Sequence, residues 1–207
     1  MRGLRLSAGE LVGVNSNLCI PSKRLALRPL SYRDADEAFQ CLTRTLTRFL
    51  EWESPTSRRI FMALWRKWLI SNTQGADWIF TIRSAEDKRF LGMAGLYAAT
   101  TPTPELGLWI REDAQRHGYG SEAARCLHAW ASQRLRPQHF ICAVASENHA
   151  SRRVVTQLGG RLRFVQSMPN YLQLVYCVPV AEGDTDTPYA LQCDIDVDSV
   201  SAISSCA

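Results

Sequence analysis

The sequence predicts a mixed α/β fold, in which about four helices flank a central twisted sheet of about seven strands. Short alternating or wholly apolar runs indicate strands, whereas longer segments with apolar residues at helical spacing indicate helices. Some of the strand-like runs follow one another through short polar connections, as in a meander. The predicted order is strand, two helices, three strands, helix, strand, helix and two strands, with no internal repeat.

The first part of the predicted domain contains one strand and two helices. Residues 24–28 alternate and end before Pro29, which indicates a strand. Ser31 begins the first helix in a sequence that resembles a capping box, with Asp34 in place of the usual Glu. The second helix is expected over about residues 57–70, where aromatic and aliphatic residues recur at helical spacing.

Three consecutive strands are expected in the middle of the chain, over residues 78–82, 90–98 and 105–110. A glycine-bearing loop at residues 115–120 follows them. It leads into a third helix whose apolar residues lie on one face. The loop therefore joins the end of a strand to the start of a helix.

The last part of the domain alternates strands with one helix. Residues 139–145 form a short apolar run of the kind that is buried on both faces of a sheet. A helix over residues 148–158 ends at Gly159 and the glycine after it. Two final strands, over residues 162–166 and 171–178, complete the domain.

The chain length of 207 residues suits one domain with additional terminal segments. We place the domain at residues 23–180, an N-terminal extension at 1–22 and an acidic tail, expected to be flexible, at 181–207. The tail carries six carboxylates and neither Lys nor Arg, so the net charge of +4 less the tail's −6 leaves +10 for the remainder. A basic body suits an anionic ligand such as a nucleotide phosphate.

The composition disfavours several classes of protein. No apolar run approaches the roughly 18 residues that span a bilayer, and residues 1–20 lack the continuous apolar stretch of a secretory signal. Seven scattered cysteines without a CxxC pair favour reduced thiols over disulfides or a zinc site. Basic residues are not interleaved with aromatic ones as in single-strand binders. We therefore expect a cytoplasmic protein with no metal, no membrane contact and no nucleic acid.

The loop at residues 115–120, with the sequence QRHGYG, has the spacing Q-x-x-G-x-G. It differs from a P-loop, and together with Ala123 it matches only the relaxed form of the dinucleotide-binding pattern. A helix start offers unpaired N–H groups and the positive end of the helix dipole, and glycines let the backbone approach an anion. Taken alone, the loop is as consistent with an ordinary strand-to-helix turn as with an anion-binding site.

Five segments in order resemble the GNAT acetyltransferases, and within them the branch similar to the ribosomal-protein N-terminal (Rim-type) acetyltransferases. They are KRLALRPL with DAD at 23–30 and 34–36, LG at 91–92, ELGLWI at 105–110, QRHGYG with SEA at 115–123, and ENHAS at 147–151 closed by LG at 158–159. The resemblance runs over about residues 23–178. It implies the GNAT fold, in which the fourth and fifth strands splay apart.

The resemblance also implies an enzyme that transfers an acetyl group from acetyl-CoA to a primary amine, either a small molecule or a protein N-terminus. The loop backbone at Arg116, Gly118, Tyr119 and Gly120 would hold the coenzyme A pyrophosphate, with Gln115 as the first residue of the same motif. The acceptor itself and the choice between monomer and homodimer are not indicated by the sequence.

The pantetheine arm of coenzyme A would lie between the splayed strands. By the same resemblance, the backbones of Leu108 and Ile110 would pair with it and one of their N–H groups would polarise the thioester carbonyl. Asn148 would hydrogen-bond to the pantetheine, and Ser151 would lie beside the sulfur.

Acetyl transfer to an amine needs a proton acceptor and a donor for the leaving thiolate. Glu105 is the candidate base, since it opens the fourth strand near the expected acetyl group, although a salt bridge at a strand edge is an open alternative. Ser151 is the candidate donor to the sulfur, with simple helix packing as its alternative. No covalent intermediate is expected, because Cys126 and Cys142 lie in apolar segments typical of a core.

Two positions depart from the family pattern. Val155 stands where many relatives have a tyrosine that acts as general acid, and Gly160 stands where an aromatic residue is common. The first departure motivates a competing hypothesis, a non-catalytic acyl-CoA-binding or regulatory module with the same fold.

The acceptor pocket is expected between the first two helices and the last strands. In the loop between those helices, Glu51 and Glu53 are candidates to attract a cationic amine, and Trp52 is a candidate wall. An exposed acidic loop is the equally simple alternative.

Overall fold

A mixed sheet organises the computed structural model, which describes residues 15, 17–50, 54–169 and 171–181. Its strands in these described residues are β1 Ile20–Pro21, β2 Leu25–Pro29, β3 Trp78–Ser84, β4 Phe90–Tyr97, β5 Glu105–Ile110, β6 Phe140–Ala145, β7 Arg161–Ser167 and β8 Leu172–Val178. The spatial order is β1-β2-β3-β4-β5-β6-β8-β7. Each neighbouring pair is antiparallel except β5 and β6, which are parallel. The predicted mixed α/β class is confirmed, with the short β1 as an additional strand.

The helices flank this sheet in the predicted order, with one short additional helix at Arg44–Thr47. They are α1 Ala35–Gln40, α2 Arg44–Thr47, α3 Arg58–Gln74, α4 Tyr119–Leu135 and α5 His149–Gln157, with short 3₁₀ turns at Tyr32–Asp34 and Glu112–Ala114. The capping box is present: Asp34 accepts the backbone N–H of Ser31 at 2.7 Å, and the Ser31 hydroxyl accepts the N–H of Arg33 at 3.3 Å. It opens the first 3₁₀ turn, which continues into α1.

The second predicted helix, α3, runs four residues further than expected. It ends at Gly75, which has a left-handed φ of 73°. Just before that end, the buried Asn72 donates to the carbonyl of Ile79 at 2.8 Å and accepts its N–H at 2.6 Å. This pair of hydrogen bonds ties the last turn of α3 to β3.

Helices cover both faces of the sheet. On one face α4 and α5 bury Leu127 and Val155 against strand residues that include Phe80 and Phe140. On the other face α3 buries Phe61 and Trp65, together with residues of α1 and of strands β3 and β4. None of the helices formed by the described residues has the length and apolar character that a membrane crossing requires.

The parallel strands β5 and β6, the fourth and fifth of the sequence prediction, make contact at only one end. A single register pair, Glu105 with Ile141, joins them, and the N–H of Ile141 donates to the carbonyl of Pro104 at 3.0 Å. Beyond that pair the strands are no longer hydrogen-bonded neighbours. A gap therefore opens in the middle of the sheet.

Strand β1 falls inside the segment that we placed as an N-terminal extension. Ile20 and Pro21 pair with Leu27 and Ala26 of β2, and Ile20 is buried in the core. The chain is thus held to the sheet from Ile20 onward.

Candidate active site

Two adjoining cavities meet at the gap between β5 and β6. The inner cavity has a volume of about 360 Å³ and the outer one about 710 Å³. Both are lined by Leu108, Trp109, Asn148 and Ser151, so the two spaces form one groove that enters the sheet. The loop before α4 lies at the outer end of this groove, and Glu105 lies at the inner end.

The loop before α4 presents a run of backbone N–H groups. Between the described residues, no hydrogen bond uses the N–H groups of residues 116–121, whereas Glu122 N–H donates to the Gly118 carbonyl at 3.1 Å. Arg116 and Gly118 have left-handed φ values of 65° and 80°. Left-handed residues of this kind let successive N–H groups face one anion, and the N-terminus of the 17-residue helix α4 adds its positive dipole end.

An ion pair between two distant parts of the chain holds this loop. Arg24 places Nε and Nη2 each 2.7 Å from Oε2 of Glu122, which lies in the first turn of α4. The third guanidinium nitrogen, Nη1, donates to the carbonyl of His117 at 3.0 Å. The guanidinium also lies 4.7 Å from the ring centre of Tyr119. We call this set of contacts the Arg24–Glu122 clamp.

The other oxygen of Glu122 is used as well. Its Oε1 accepts the Ser22 hydroxyl and the Arg24 backbone N–H, each at 2.8 Å. Burial opposes ionisation of this carboxyl, but the hydrogen bonds from Ser22 and Arg24 together with the guanidinium charge outweigh it and lower its pKa. Glu122 is therefore ionised at neutral pH, which the clamp requires.

Gln115, the first residue of the loop motif, lies at the join between loop and strand. Its side-chain amide donates to the carbonyl of Ile110 at 2.9 Å. This bond ties the loop back to the end of β5.

One backbone edge of β5 faces the gap. Strand β5 pairs with β4 along its other edge, and Arg111 N–H donates to the Leu91 carbonyl at 2.9 Å. Because backbone groups of consecutive residues alternate in direction along a strand, the N–H and C=O groups of Leu108 and Ile110 point away from β4. They point toward β6, and none of the described strands pairs with them.

Asn148 and Ser151 lie at the start of α5, where both line the groove. The Asn148 side-chain oxygen accepts the N–H of Ser151 at 3.1 Å and so caps the helix. The amide NH₂ of Asn148 is a separate donor group that this capping bond does not use. Sequence reasoning assigned Asn148 to the ligand and did not foresee its capping bond.

Glu105 and Cys142 lie near each other at the inner end of the groove. Burial, and to a smaller degree the charge of Glu105, raise the pKa of the Cys142 thiol to about 12, against a weaker opposing hydrogen bond with the backbone of Leu106. The thiol is therefore protonated at neutral pH and is a poor nucleophile.

The two cavities differ in charge. Arg48, Arg116 and Arg153 line the outer cavity together with Glu112 and Glu147. Among the described residues that line the inner cavity, Glu105 is the one that carries a charge. The groove thus passes from a polar, net basic mouth to an apolar interior.

The two departures from the family pattern lie in contact. A Cβ atom at Gly160 would come within 2.5 Å of a Val155 methyl carbon and 2.8 Å of its carbonyl oxygen. A larger residue at position 160 would therefore collide with α5. Val155 is buried and lines the inner cavity.

Two further predictions concern residues or ligands at the site. Glu51, Trp52 and Glu53, the candidate acceptor residues, lie outside the described residues. The described part of the chain contains no cluster of three or more His, Cys, Asp or Glu side chains suited to hold a metal ion.

Sequence reasoning missed the clamp. Arg24 and Glu122 both lie within motifs that carried the family resemblance, yet neither received a role. A basic residue in one family motif and an acidic residue in another could have suggested an ion pair. The two residues are 98 positions apart, so no local pattern connects them.

The chain matches the family model of the acetyltransferase (GNAT) domain over residues 24–161. The chain belongs to the GNAT acetyltransferase family. The matched region extends from the clamp residue Arg24 to the start of β7, so it contains the loop, both splayed strands and α5. As a member of this family the protein is an acyltransferase.

Solved structures of GNAT proteins have the same fold. RimL, a ribosomal L7/L12 alpha-N-protein acetyltransferase solved in complex with coenzyme A, matches with a TM-score of 0.71 and 18% identity, over 79% of this chain and 98% of that chain. An acetyltransferase from Salmonella typhimurium that modifies the N-terminal serine of protein L7/L12 matches with a TM-score of 0.69 and 18% identity, over 79% and 100%.

A GNAT acetyltransferase from Bacillus anthracis matches with a TM-score of 0.67 and 17% identity, over 80% of this chain and 100% of that chain. At these identities the likeness shows the fold. A search among curated proteins gave no match.

Proposed function

We propose that this GNAT protein transfers an acetyl group from acetyl-CoA to a primary amine by direct attack, without an acyl-enzyme. The observation that carries the proposal is the set of N–H groups at residues 116–121, which open onto a groove that enters the sheet between β5 and β6. A diphosphate suits such N–H groups, and a slender amide-containing arm suits the unpaired edge of β5. The coenzyme A complex of the structural relative RimL supports the same cofactor.

In the proposed reaction the amine nitrogen attacks the thioester carbonyl carbon. The N–H groups of β5 that face the gap donate to the carbonyl oxygen as negative charge develops there. Glu105, directly or through a water, accepts the proton that the attacking nitrogen loses. The carbon–sulfur bond then breaks, and the coenzyme A thiolate takes a proton, with Ser151 as the nearby donor.

The acceptor is proposed to be a protein N-terminus or a small-molecule amine. The relatives that modify ribosomal protein L7/L12 favour the first class. Acceptor choice resides in variable loops, so the fold does not decide between them.

The proposal is tested by calorimetric titration with acetyl-CoA and by mass spectrometry of peptides, polyamines, aminoglycosides and amino acids incubated with it. We expect binding, and acetylation of at least one amine. The variant Glu105→Gln should bind acetyl-CoA as wild type does but lose turnover by about 10²-fold or more. Glu86→Gln, at an exposed carboxylate in the β3–β4 connection, is the matched control and should retain both.

Three outcomes would count against the proposal in different ways. No detectable binding at millimolar acetyl-CoA would contradict the cofactor. Binding without transfer to any amine would favour the non-catalytic module that Val155 suggests. Full turnover of Glu105→Gln would remove this residue as the base while leaving the transfer reaction in place.

A further inference from the structure

A row of residues on the α3 side of the sheet continues inward from Glu105. Opposite residues of an antiparallel pair share one face of the sheet. The row consists, pair by pair, of Tyr97 with Glu105, Gly95 with Gly107, and Met93 with Trp109. Five of these six residues line the inner cavity, and Gly95 does not.

The Tyr97 ring covers Gly95, whereas open space remains beside Gly107, and we call this space the glycine bay. A Cβ atom at Gly95 would lie 3.1 Å from the Tyr97 ring, and one at Gly107 would lie 3.4 Å from it. The tyrosine ring therefore packs over Gly95 and forms one wall of the bay, and Tyr97 is 37% exposed. Trp109 borders the opposite side.

The rest of the surroundings is apolar. Phe49, Leu50 and Trp68 line the same cavity and are half-buried, whereas Ile79 and Met93 are buried beneath it. Among the described residues that line this cavity, Glu105 carries the single negative charge. A ligand in the bay thus meets one carboxylate at its rim and apolar side chains beyond.

We infer that the acceptor is a singly charged amine attached to an apolar body, such as a peptide whose first residue is Phe, Leu or Met. This inference rests on the proposed function and adds the substrate class. The amine would lie by Glu105, and the apolar side chain would lie in the glycine bay against Tyr97 and Trp109. A second positive charge in that position would find no second carboxylate among the described lining residues, and a hydroxyl group would bury less apolar surface than a Phe, Leu or Met side chain.

The first test is a set of peptides that differ only in their first residue. We expect kcat/KM for Phe, Leu and Met to exceed that for Ser and Gly by about tenfold or more, because an apolar pocket discriminates by the surface that it buries. Spermidine, a polycation, should be a poorer substrate than the best peptide. A serine peptide or spermidine at or above the apolar peptides would overturn the inference, whereas no acetylation of any amine would contradict the proposed function instead.

The second test adds one methyl group to the bay. Gly107 has no left-handed φ, and its new Cβ would make only ordinary contact with Tyr97, so Gly107→Ala should fold. We expect the KM of the Phe peptide to rise about tenfold, while the Kd of acetyl-CoA and the thermal midpoint stay near wild type. An unchanged ratio of kcat/KM between Phe and Ser peptides would contradict the bay as the specificity site. If the variant also loses acetyl-CoA binding, the wild-type peptide series decides the question.

Discussion

The Arg24–Glu122 clamp gives a direct test of how the loop is kept ready for coenzyme A. Arg24→Met keeps an apolar stem of similar length but removes the guanidinium, and with it the ion pair to Glu122 and the bond to the His117 carbonyl. The backbone N–H of Arg24 still donates to Glu122. The loop is therefore released at one side while α4 keeps part of its anchor.

The contribution of the clamp to the free energy of the loop is estimated from the exposure of the two side chains. Glu122 is only 13% exposed, whereas Arg24 is 44% exposed, so solvent weakens the ion pair. Exposed pairs contribute about 0–1 kcal/mol and buried charge-assisted bonds about 1.5–3 kcal/mol, which places this pair near ~1 kcal/mol. The bond to His117 adds about 1 kcal/mol. A total of about 2 kcal/mol, if it serves to keep the loop in its binding geometry, corresponds to a roughly tenfold to thirtyfold rise in Kd for coenzyme A.

The assay compares two acyl donors. Coenzyme A carries the diphosphate that the loop would hold, whereas S-acetylpantetheine lacks it. We expect Arg24→Met to weaken acetyl-CoA binding as calculated, to lower the thermal midpoint by at most about 8 °C, and to leave kcat/KM for S-acetylpantetheine unchanged. Arg28→Met, at an exposed arginine of β2 four residues further along the chain, controls for the loss of one positive charge. Equal losses with both donors, or an equal loss in the Arg28 variant, would refute the reasoning.

Two further predictions concern the groove and the core. At Gly120 a new Cβ would lie 3.6 Å from Leu108 and from Ile110, an ordinary distance, so Gly120→Ala should fold and bind acetyl-CoA. Gly120→Asp should lose measurable affinity in calorimetry, because its carboxylate enters the groove that would hold the diphosphate. Comparable affinity of the two variants would contradict the loop assignment. Burial, partly offset by the hydrogen bond to the Pro179 carbonyl, lowers the pKa of His128 below its ordinary 6.5. Near this pH the folded protein therefore binds fewer protons than the unfolded chain, and its free energy of unfolding should decrease as the pH falls below about 6.5. Urea unfolding from pH 7.5 to 5.5 should show a slope of up to about 1.4 kcal/mol per pH unit from this group that is smaller in His128→Gln, and an unchanged slope would be evidence against this origin.

The parts of the fold that local chemistry determines were predictable from the sequence. Alternation and apolar runs located the strands within a few residues, and the loop before α4 follows from Gly118, whose φ of 80° an L-residue rarely adopts. The capping box at Ser31 is likewise a local interaction between residues three positions apart. These features depend on neighbours in the chain, so a single sequence contains them.

Other features depend on residues that meet only in the folded chain. The end of α3 was placed too early because Asn72 breaks the apolar period, although its amide is buried against the backbone of Ile79. Strand β1 has only two residues and exists through its pairing with β2. The glycine bay requires the register that puts Gly95 opposite Gly107, and no local pattern fixes that register.

The contrast between the two ends of the groove bears on how acetyl transfer would proceed without the tyrosine that Val155 replaces. In an apolar interior the charged form of an amine is disfavoured, so the pKa of a bound ammonium group falls and a single carboxylate such as Glu105 suffices to take its proton. The same low-polarity surroundings strengthen the interaction of backbone N–H groups with a developing oxyanion, since no water competes for it. A thiol has an ordinary pKa of about 8.5, so the coenzyme A thiolate can leave without a strong acid. The basic mouth lined by Arg116 and Arg153 lies along the same groove. On this argument a general acid at position 155 is dispensable, and the buried valine contributes instead to the apolar character on which the other steps depend.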